Sequence, residues 1–331
     1  MKASVTGGGS WGTAFARLLA NTGIETEIIC RRQVQADSIN RLHRNPDYLR
    51  DIVLPDFLAA STFTSNGLVA ADLVVIAIPS KAYREVLHGM AGDINPDAAV
   101  LSLTKGLEPE TLKRFSQVLA EELPSPASSR IAVLSGPNHA EEVALDIPTA
   151  STIAAVDEDL ARQLQTSICT ENFRVYINPD LLGVELCAAT KNVIALAAGM
   201  SDGLGFGDNT KASLITRGLT EMARLGTAAS ADPKTYSGLA GMGDLIATCT
   251  SRHSRNRMAG ELIAAGKTPE QAEAEMGMVA EGLTSARSVL ELASSHGIEM
   301  PITEQVCEVV YQGKDVRRAV SELMMRSPKS E

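Results

Sequence analysis

Three glycines near the N-terminus have the spacing of a dinucleotide-binding turn. Gly7, Gly9 and Gly12 satisfy the pattern G-x-G-x-x-G. The first glycine permits a tight turn, the second lets the backbone approach a pyrophosphate, and the third allows a helix to pack close to a strand. Because the turn follows an apolar strand pattern and opens a helical one, we expect helix N-terminal amides to face the phosphates. A flexible glycine turn without a ligand is the alternative.

The end of the second predicted strand indicates which dinucleotide would bind. NAD sites usually carry an acidic residue about 20 residues after the glycines, where it bonds the ribose 2′-hydroxyl. This chain has Arg31 and Arg32 there. Two guanidinium groups suit a 2′-phosphate, so the sequence favours NADP(H) and leaves NAD(H) possible. A solvated surface arginine pair is the alternative.

Two lysines stand out by position. Lys105 follows the predicted strand at 100–103, at the carboxyl edge of the sheet where α/β folds bind ligands. Lys191 lies on an apolar helical stripe, so its ammonium must reach a partner or a cleft. Burial and a second cation nearby would lower its pKa toward the range useful for proton transfer. A lysine whose stem lies on a helix-bundle surface explains Lys191 equally well.

Several polar residues are candidates for binding a small anion. Asp244 lies in a glycine-flanked turn, and Ser254, Arg255 and Asn256 precede an apolar helical pattern. A serine, an arginine and an amide at a helix start suit a phosphate. In an acidic protein, this cluster indicates a phosphorylated substrate rather than a polyanion. His139 follows another strand end, and we expect it to flank a site without transferring protons.

The composition excludes several classes of protein. The chain has 331 residues and a net charge of −10, which argues against binding nucleic acid or an anionic membrane. Without a run of about 18 apolar residues, no membrane insertion is expected. Because the glycine turn begins at residue 7, we expect no signal peptide. Five scattered cysteines without a CxxC pair predict neither a disulfide scaffold nor a metal site, and they favour the cytoplasm.

The predicted elements indicate two domains. Short, nearly continuous apolar runs typical of buried parallel strands occur at 3–6, 26–30, 73–78, 100–103, 131–134, 150–156 and 173–177. Helical patterns separate them, the clearest being 11–22. From residue 181 onward the patterns are helical, at 181–199, 211–225, 257–265, 284–296 and 303–312. We therefore predict an α/β fold, with an N-terminal Rossmann-type doubly wound sheet at 1–180 and an all-helical C-terminal domain at 181–331.

Taken together, these motifs resemble the bacterial NAD(P)-dependent glycerol-3-phosphate dehydrogenases over essentially the whole chain. The resemblance rests on the residues at 7–12, 104–108, 135–137, 191–195, 199–205, 215–218, 241–244, 254–257 and 300–304. Several such motifs in this order are specific, whereas the glycine turn alone is not. The resemblance implies an oxidoreductase that interconverts dihydroxyacetone phosphate and sn-glycerol 3-phosphate, which supplies phospholipid synthesis.

The resemblance also implies residue roles, with Lys191 as the proton donor or acceptor. The implied cofactor contacts are Ser10, Trp11, Arg31, Arg32, Lys105, Ala140, Arg255, Val279 and Glu281. The implied substrate contacts are Lys105, Gly136, Asn138, Lys191, Asp244, Ser254, Arg255 and Asn256. The chain departs from the family pattern at Asn138, where a hydroxyl residue is usual, and at Glu141, where a lysine is usual.

Two other functions fit parts of the sequence. Another two-domain hydroxy-acid dehydrogenase, acting on 6-phosphogluconate or ketopantoate, would share the turn, but the cluster at 254–256 argues against it. A cofactor-binding sensor without turnover would keep the turn and need neither lysine. The apolar helices of the second domain suggest a homodimer.

Overall fold

The computed structural model describes residues 1–63 and 65–327. Its strands are β1 Lys2–Thr6, β2 Glu25–Ile29, β3 Ala59–Ser61, β4 Leu73–Ile76, β5 Ala99–Ser102, β6 Ile131–Ser135, β7 Thr149–Ala155 and β8 Phe173–Asn178. They form one sheet in the order β3-β2-β1-β4-β5-β6-β7-β8. All neighbouring pairs are parallel except β6 and β7.

Helices cover both faces of this sheet. They are α1 Ser10–Asn21, α2 Gln33–Leu42, α3 Ser65–Val69, α4 Tyr83–Met90, α5 Phe115–Glu122, α6 Ala140–Ala144 and α7 Glu158–Ile168. Side chains alternate between the two faces of a strand. In β4, Val75 packs in the core that contains Phe15 of α1, whereas Val74 packs in the core that contains Tyr83 and Phe115. This two-sided burial explains why β4 is apolar throughout.

All described secondary structure after β8 is helical. The helices are α8 Leu181–Gly203, α9 Asp208–Ala228, α10 Pro233–Tyr236, α11 Asp244–Thr250, α12 Arg255–Ala264, α13 Pro269–Met276, α14 Glu281–Ser295, α15 Pro301–Gln312 and α16 Val316–Met324, with a π-helical turn at Leu239–Gly243 before α11. The α/β class, with a doubly wound sheet followed by a helical region, is thereby confirmed.

The chain divides into two compact units, and their boundaries do not coincide with a change in amino-acid composition. The first unit comprises Met1–Lys105 and Lys113–Glu185, and the second comprises Gly106–Leu112 and the chain from Leu186 onward. The predicted boundary at residue 180 stays a prediction. Asp180 immediately precedes α8 and caps its first turn, since its carboxylate Oδ1 accepts a hydrogen bond from the Gly183 amide at 2.8 Å.

Glycines allow α8 and α12 to pack backbone to backbone. A Cβ at Gly199 would lie 1.9 Å from the Arg257 carbonyl oxygen, and one at Gly260 would lie 2.2 Å from that of Leu196.

By length and composition alone, α8 could cross a membrane, whereas the sequence predicted no such helix. However, 83% of the apolar 18-residue stretch of α8 is buried within the protein, as in the core helix of a globular fold.

Candidate active site

The glycine turn forms a cradle that side chains would fill. Gly7 has a φ of +116°, and a Cβ there would lie 2.3 Å from the Ala77 carbonyl oxygen. A Cβ at Gly12 would lie 1.9 Å from the Gly7 carbonyl oxygen. Gly9 is the N-cap of α1, and its Cβ direction is open, with no atom within 4 Å. The first amides of α1 have no partner inside their helix, so this open side suits an anion.

Ser10 and Trp11 begin α1 at this cradle. The indole Nε1–H of Trp11 is buried, and it has no hydrogen-bond partner among the described residues. Trp11 packs edge-on against Phe15, with ring centroids 5.6 Å apart. It also packs against the small cluster of Ala14 and Ala140, which places Ala140 of α6 beside α1. The cradle, the open helix start and the unpartnered donor fit a dinucleotide cofactor.

The two arginines after β2 differ in their environment. Both side chains are exposed, but Arg32 donates through Nη2 to the Asp47 carboxylate. Burial raises the pKa of the neighbouring Cys30 thiol to about 11, so this cysteine is neutral at pH 7. The structure thus distinguishes the two arginines by the pairing of Arg32 with Asp47, which the sequence alone did not show.

Lys105 is held at the carboxyl edge of the sheet by groups that follow β6. Its Nζ donates to Asn138 Oδ1 at 3.0 Å and to the Gly136 carbonyl at 3.5 Å. Asn138 Nδ2 in turn donates to Ser151 Oγ at 3.0 Å, and Ser151 is fully buried. Asn138 thus orients Lys105. Its amide side chain is longer than the hydroxyl side chain usual at this position, which suits it to this role. His139 lies next to it as the N-cap of α6.

In the second unit, Lys191 of α8 is buried against a carboxylate. Its side chain is 4% exposed and that of Asp244 is 3% exposed. Lys191 Nζ donates to Asp244 Oδ1 and, at 2.9 Å, to Thr248 Oγ1. The Thr248 hydroxyl is also 3.2 Å from Asp244 Oδ1. This arrangement contradicts a lysine whose ammonium reaches solvent. An adjacent carboxylate favours the ammonium form, which can stabilise an oxyanion and donate a proton.

The elements around this pair explain its geometry. Asp244 is the first residue of α11 and follows the π-helical turn, which requires Gly241 because a Cβ there would lie 2.3 Å from the Tyr236 carbonyl oxygen. Thr248 lies one helical turn after Asp244, on the same face of α11. Sequence reasoning missed Thr248, although its i+4 spacing from Asp244 was a signal that could have identified it.

The predicted anion cluster lies at the start of α12. Ser254 is the buried N-cap, and its Oγ accepts from the Arg257 amide at 3.3 Å. Arg255 is exposed and donates to the Val279 carbonyl at 3.1 Å, so these two predicted cofactor contacts lie together. Glu281 begins α14, two residues after Val279.

Asn256 has a structural role in addition to any contact with substrate. Its Nδ2 donates to Asn192 Oδ1 at 2.9 Å, and its Oδ1 accepts from the Gly282 amide at 2.8 Å. The side chain therefore links α8, α12 and α14. Among the bonds described, its second Nδ2 proton and the second lone pair of its Oδ1 remain for a ligand. Sequence reasoning missed this linking role, because neither partner is close in the chain.

Comparison with known proteins identifies the family to which this chain belongs. The profile described as NAD-dependent glycerol-3-phosphate dehydrogenase N-terminus matches residues 2–161, and the corresponding C-terminus profile matches 180–321. The chain belongs to the NAD-dependent glycerol-3-phosphate dehydrogenase family. The resemblance inferred from the motifs is thereby confirmed.

Individual members of the glycerol-3-phosphate dehydrogenase family match the chain from end to end. A glycerol-3-phosphate dehydrogenase [NAD(P)+] of Streptomyces griseus is 49% identical, with 100% of this chain and 98% of that protein covered. One from Bacillus subtilis is 46% identical, with 98% and 94% covered. A crystal structure of glycerol-3-phosphate dehydrogenase from Coxiella burnetii has a TM-score of 0.93 at 37% identity, and 98% and 99% of the two chains are covered.

Within each unit, the structure brings together most of the residues predicted for this family. The first unit assembles the cradle at 7–12 with Ala140, and separately Lys105 with Gly136 and Asn138. The second assembles Lys191 with Asp244, and Arg255 with Val279. The roles of these residues toward substrate and cofactor stay predictions.

Proposed function

We propose that this protein interconverts dihydroxyacetone phosphate and sn-glycerol 3-phosphate with NAD(P)H. The observation that carries the proposal is the buried Lys191 ammonium, held by Asp244 and Thr248 in a member of this family. The hydride for the carbonyl carbon C2 comes from the reduced nicotinamide of the cofactor. The protein must then stabilise and protonate the carbonyl oxygen, where negative charge develops.

Lys191 performs that step. Its ammonium stabilises the developing oxyanion and donates the proton in the direction of reduction, and in the reverse direction the neutral amine accepts the proton. Asp244 and Thr248 hold the ammonium in one orientation, which lowers the reorganisation that the reaction requires. Lys105 adds a second positive charge that acts on both substrate and cofactor.

The remaining polar residues bind and orient the substrate. Ser254, Arg255 and Asn256 at the start of α12 bind the phosphate, while Gly136 and Asn138 bind the rest of the molecule. Binding a phosphate that does not react positions C2 for hydride transfer. Asp244 orients Lys191 or accepts a hydrogen bond from a substrate hydroxyl.

The cofactor binds chiefly to the first unit. The turn of Gly7, Gly9 and Gly12, with the amides of Ser10 and Trp11, binds the pyrophosphate, and Ala140 lines the cofactor beside α1. Arg31, supported by Arg32, binds the 2′-phosphate and makes NADP(H) the preferred cofactor, with NAD(H) also accepted. By their match to the family motifs, Arg255, Val279 and Glu281 also contact the cofactor. Residues 1–180 thus act as the NAD(P)-binding domain and 181–331 as the substrate-binding domain.

The cellular role follows from the product. The enzyme acts in the cytoplasm as a homodimer and supplies glycerol 3-phosphate for phospholipid synthesis, without insertion into a membrane. The apolar helices of the second domain support the homodimer, and the net charge of −10 argues against binding to an anionic membrane.

Oxidation of NADPH with dihydroxyacetone phosphate tests the proposal. We expect the absorbance of the reduced nicotinamide to fall with time only when this substrate is present. Parallel assays with ketopantoate and with 6-phosphogluconate plus NADP+ test the rival dehydrogenase activities. NADPH binding without oxidation of NADPH would instead indicate a dinucleotide sensor.

A further inference from the structure

Two buried amide side chains converge on one carbonyl oxygen of the glycine turn. Gln35 Nε2 donates to the Gly8 carbonyl at 2.7 Å, and Asn45 Nδ2 donates to the same oxygen at 2.9 Å. Both side chains are at least 95% buried, with 5% exposure for Gln35 and 1% for Asn45. We call Gln35 and Asn45 the amide clamp. They lie outside the glycine motif by more than 20 residues and were not singled out by the sequence.

The clamp is itself held rigidly. Gln35 Nε2 also donates to Asn45 Oδ1 at 3.1 Å, and Asn45 Nδ2 donates to Thr13 Oγ1 of α1 at 2.7 Å. The amides of Asp47 and Tyr48 donate to Asn45 Oδ1 at 3.1 and 3.3 Å. Buried amide groups with this many partners have little freedom to rotate. The Gly8 carbonyl therefore has a fixed direction before any ligand arrives.

Fixing this carbonyl also fixes the next amide. In a trans peptide, the C=O and the following N–H point in opposite directions within one plane. With the Gly8 oxygen turned toward the clamp, the Gly9 N–H points away from it. Gly9 is the N-cap of α1, and a Cβ built there would have no atom within 4 Å, so the fixed peptide leaves this amide at an open helix start that suits a pyrophosphate.

Gly8 provides an independent sign that this contact is close. The G-x-G-x-x-G pattern accepts any residue at the second position, yet here it is glycine. A Cβ at Gly8 would lie 2.9 Å from Cys30 Sγ and 3.1 Å from Gln35 Nε2. The absence of a side chain thus lets the backbone reach the clamp.

We propose that Gln35 and Asn45 are positioning residues for the cofactor pyrophosphate, acting through the Gly8–Gly9 peptide. The proposal rests on the proposed function in so far as the ligand is a dinucleotide. Neither residue contacts the reacting atoms. Their loss should weaken binding of the pyrophosphate and leave the 2′-phosphate site and the catalytic step intact.

The test compares Gln35→Met and Asn45→Leu, which remove the donors without adding charge, with Asn40→Leu as the control. Asn40 also lies on α2 and also donates to a backbone carbonyl, that of Ala60 at 2.8 Å, but it does not touch the turn. Trp11 is the single tryptophan of the chain, so its fluorescence reports binding at the cradle. Titrations use NADPH, ADP, which has a pyrophosphate, and adenosine 2′-monophosphate, which has none.

We expect each clamp variant to raise the Kd for NADPH and ADP about tenfold, with adenosine 2′-monophosphate changed by less than about twofold. The KM for NADPH should rise while kcat at saturating NADPH is retained, and Asn40→Leu should match the wild type. An equal loss of affinity for ADP and adenosine 2′-monophosphate, or no loss of affinity in either variant, would overturn the proposal. If Asn45→Leu fails to fold, Gln35→Met decides the question, because the bonds that Asn45 donates to the Gly8 carbonyl and to Thr13 remain. A wild type that fails to bind NADPH would instead overturn the proposed function.

Discussion

Lys191 and Asp244 form an ion pair with almost no access to water, since their side chains are 4% and 3% exposed. Removing two charges from water is costly, and a buried pair is retained only when its hydrogen bonds are well satisfied. Thr248 supplies a further bond to the ammonium at 2.9 Å. A buried ion pair that only stabilised the fold could be replaced as a whole by apolar residues without loss of stability. The pair is therefore best explained by chemistry that needs an ammonium in a dry site.

Replacing Lys191 by alanine tests its role in proton transfer. We expect kcat to fall by about 10²- to 10⁴-fold, the range for loss of a general acid–base group. Lys267→Ala is the control, because Lys267 is 47% exposed and pairs only with Glu275 at 3.3 Å among the contacts described. Steady-state kinetics on protein with a cooperative thermal transition provides the measurement. Near-normal turnover in Lys191→Ala would remove this residue from the mechanism.

Asp244→Asn tests the cost of leaving Lys191 without its counter-charge. We expect the free energy of unfolding to fall by about 3 kcal/mol, since breaking one side of a buried pair leaves an uncompensated charge. The matched control is Asp232→Asn at the start of α10, where the Asp232 carboxylate accepts from the Lys234 amide and asparagine caps equally well. Urea denaturation measures both variants. Equal stability of the two would show that Asp244 is not needed to compensate Lys191.

The two arginines after β2 should contribute unequally to cofactor choice. Arg31→Ala is expected to raise the KM for NADPH about tenfold or more and to leave the KM for NADH nearly unchanged, because only NADPH carries the 2′-phosphate. Arg32→Ala should have the smaller effect, since Asp47 already pairs with Arg32. Steady-state kinetics with both cofactors measures the ratio of the KM for NADPH to the KM for NADH in each variant. A parallel rise for NADPH and NADH in Arg31→Ala would contradict this assignment.

Glu221 should make stability depend on pH. Desolvation raises the pKa of this carboxyl to about 7, although it accepts bonds from the Ile302 and Thr303 amides at the start of α15. A group whose folded pKa is raised binds a proton in the folded state over a range where the unfolded state has lost it. Stability therefore falls as pH rises from about 4.5 to about 7.

Comparison with Glu221→Gln isolates this effect from other titrating groups. Relative to the variant, the wild type should lose about 2 kcal/mol of unfolding free energy between pH 5 and pH 8. Denaturant unfolding at both pH values measures the difference. If the difference in unfolding free energy between wild type and Glu221→Gln did not change with pH, the pKa of Glu221 would not be raised.

Local patterns predicted much of the fold and of the cofactor turn. The glycine spacing and the 3.6-residue period of α1 depend only on neighbours in the chain, and Gly23, with a φ of +84°, lies just beyond the end of that helix. β3 was missed because its three residues, Ala59–Ser61, are too short to show a period.

Contacts between distant residues could not be predicted in this way. Asn45 is an ordinary loop asparagine in the sequence, and only tertiary structure brings it to the Gly8 carbonyl. The pairing of Arg32 with Asp47 and the bond from Lys191 to Thr248 depend on folded geometry for the same reason. The grouping of Gly106–Leu112 with the second unit likewise has no local signature.

The central claim is that this chain reduces dihydroxyacetone phosphate with NAD(P)H, using Lys191. The direct test follows the absorbance of NADPH in a mixture of the purified wild type and dihydroxyacetone phosphate, with Lys191→Ala alongside. We predict substrate-dependent oxidation of NADPH, formation of an equal amount of sn-glycerol 3-phosphate, and a rate reduced by at least about 100-fold in the variant. A well-folded wild type that binds NADPH and leaves it unoxidised in the presence of this substrate would contradict the claim.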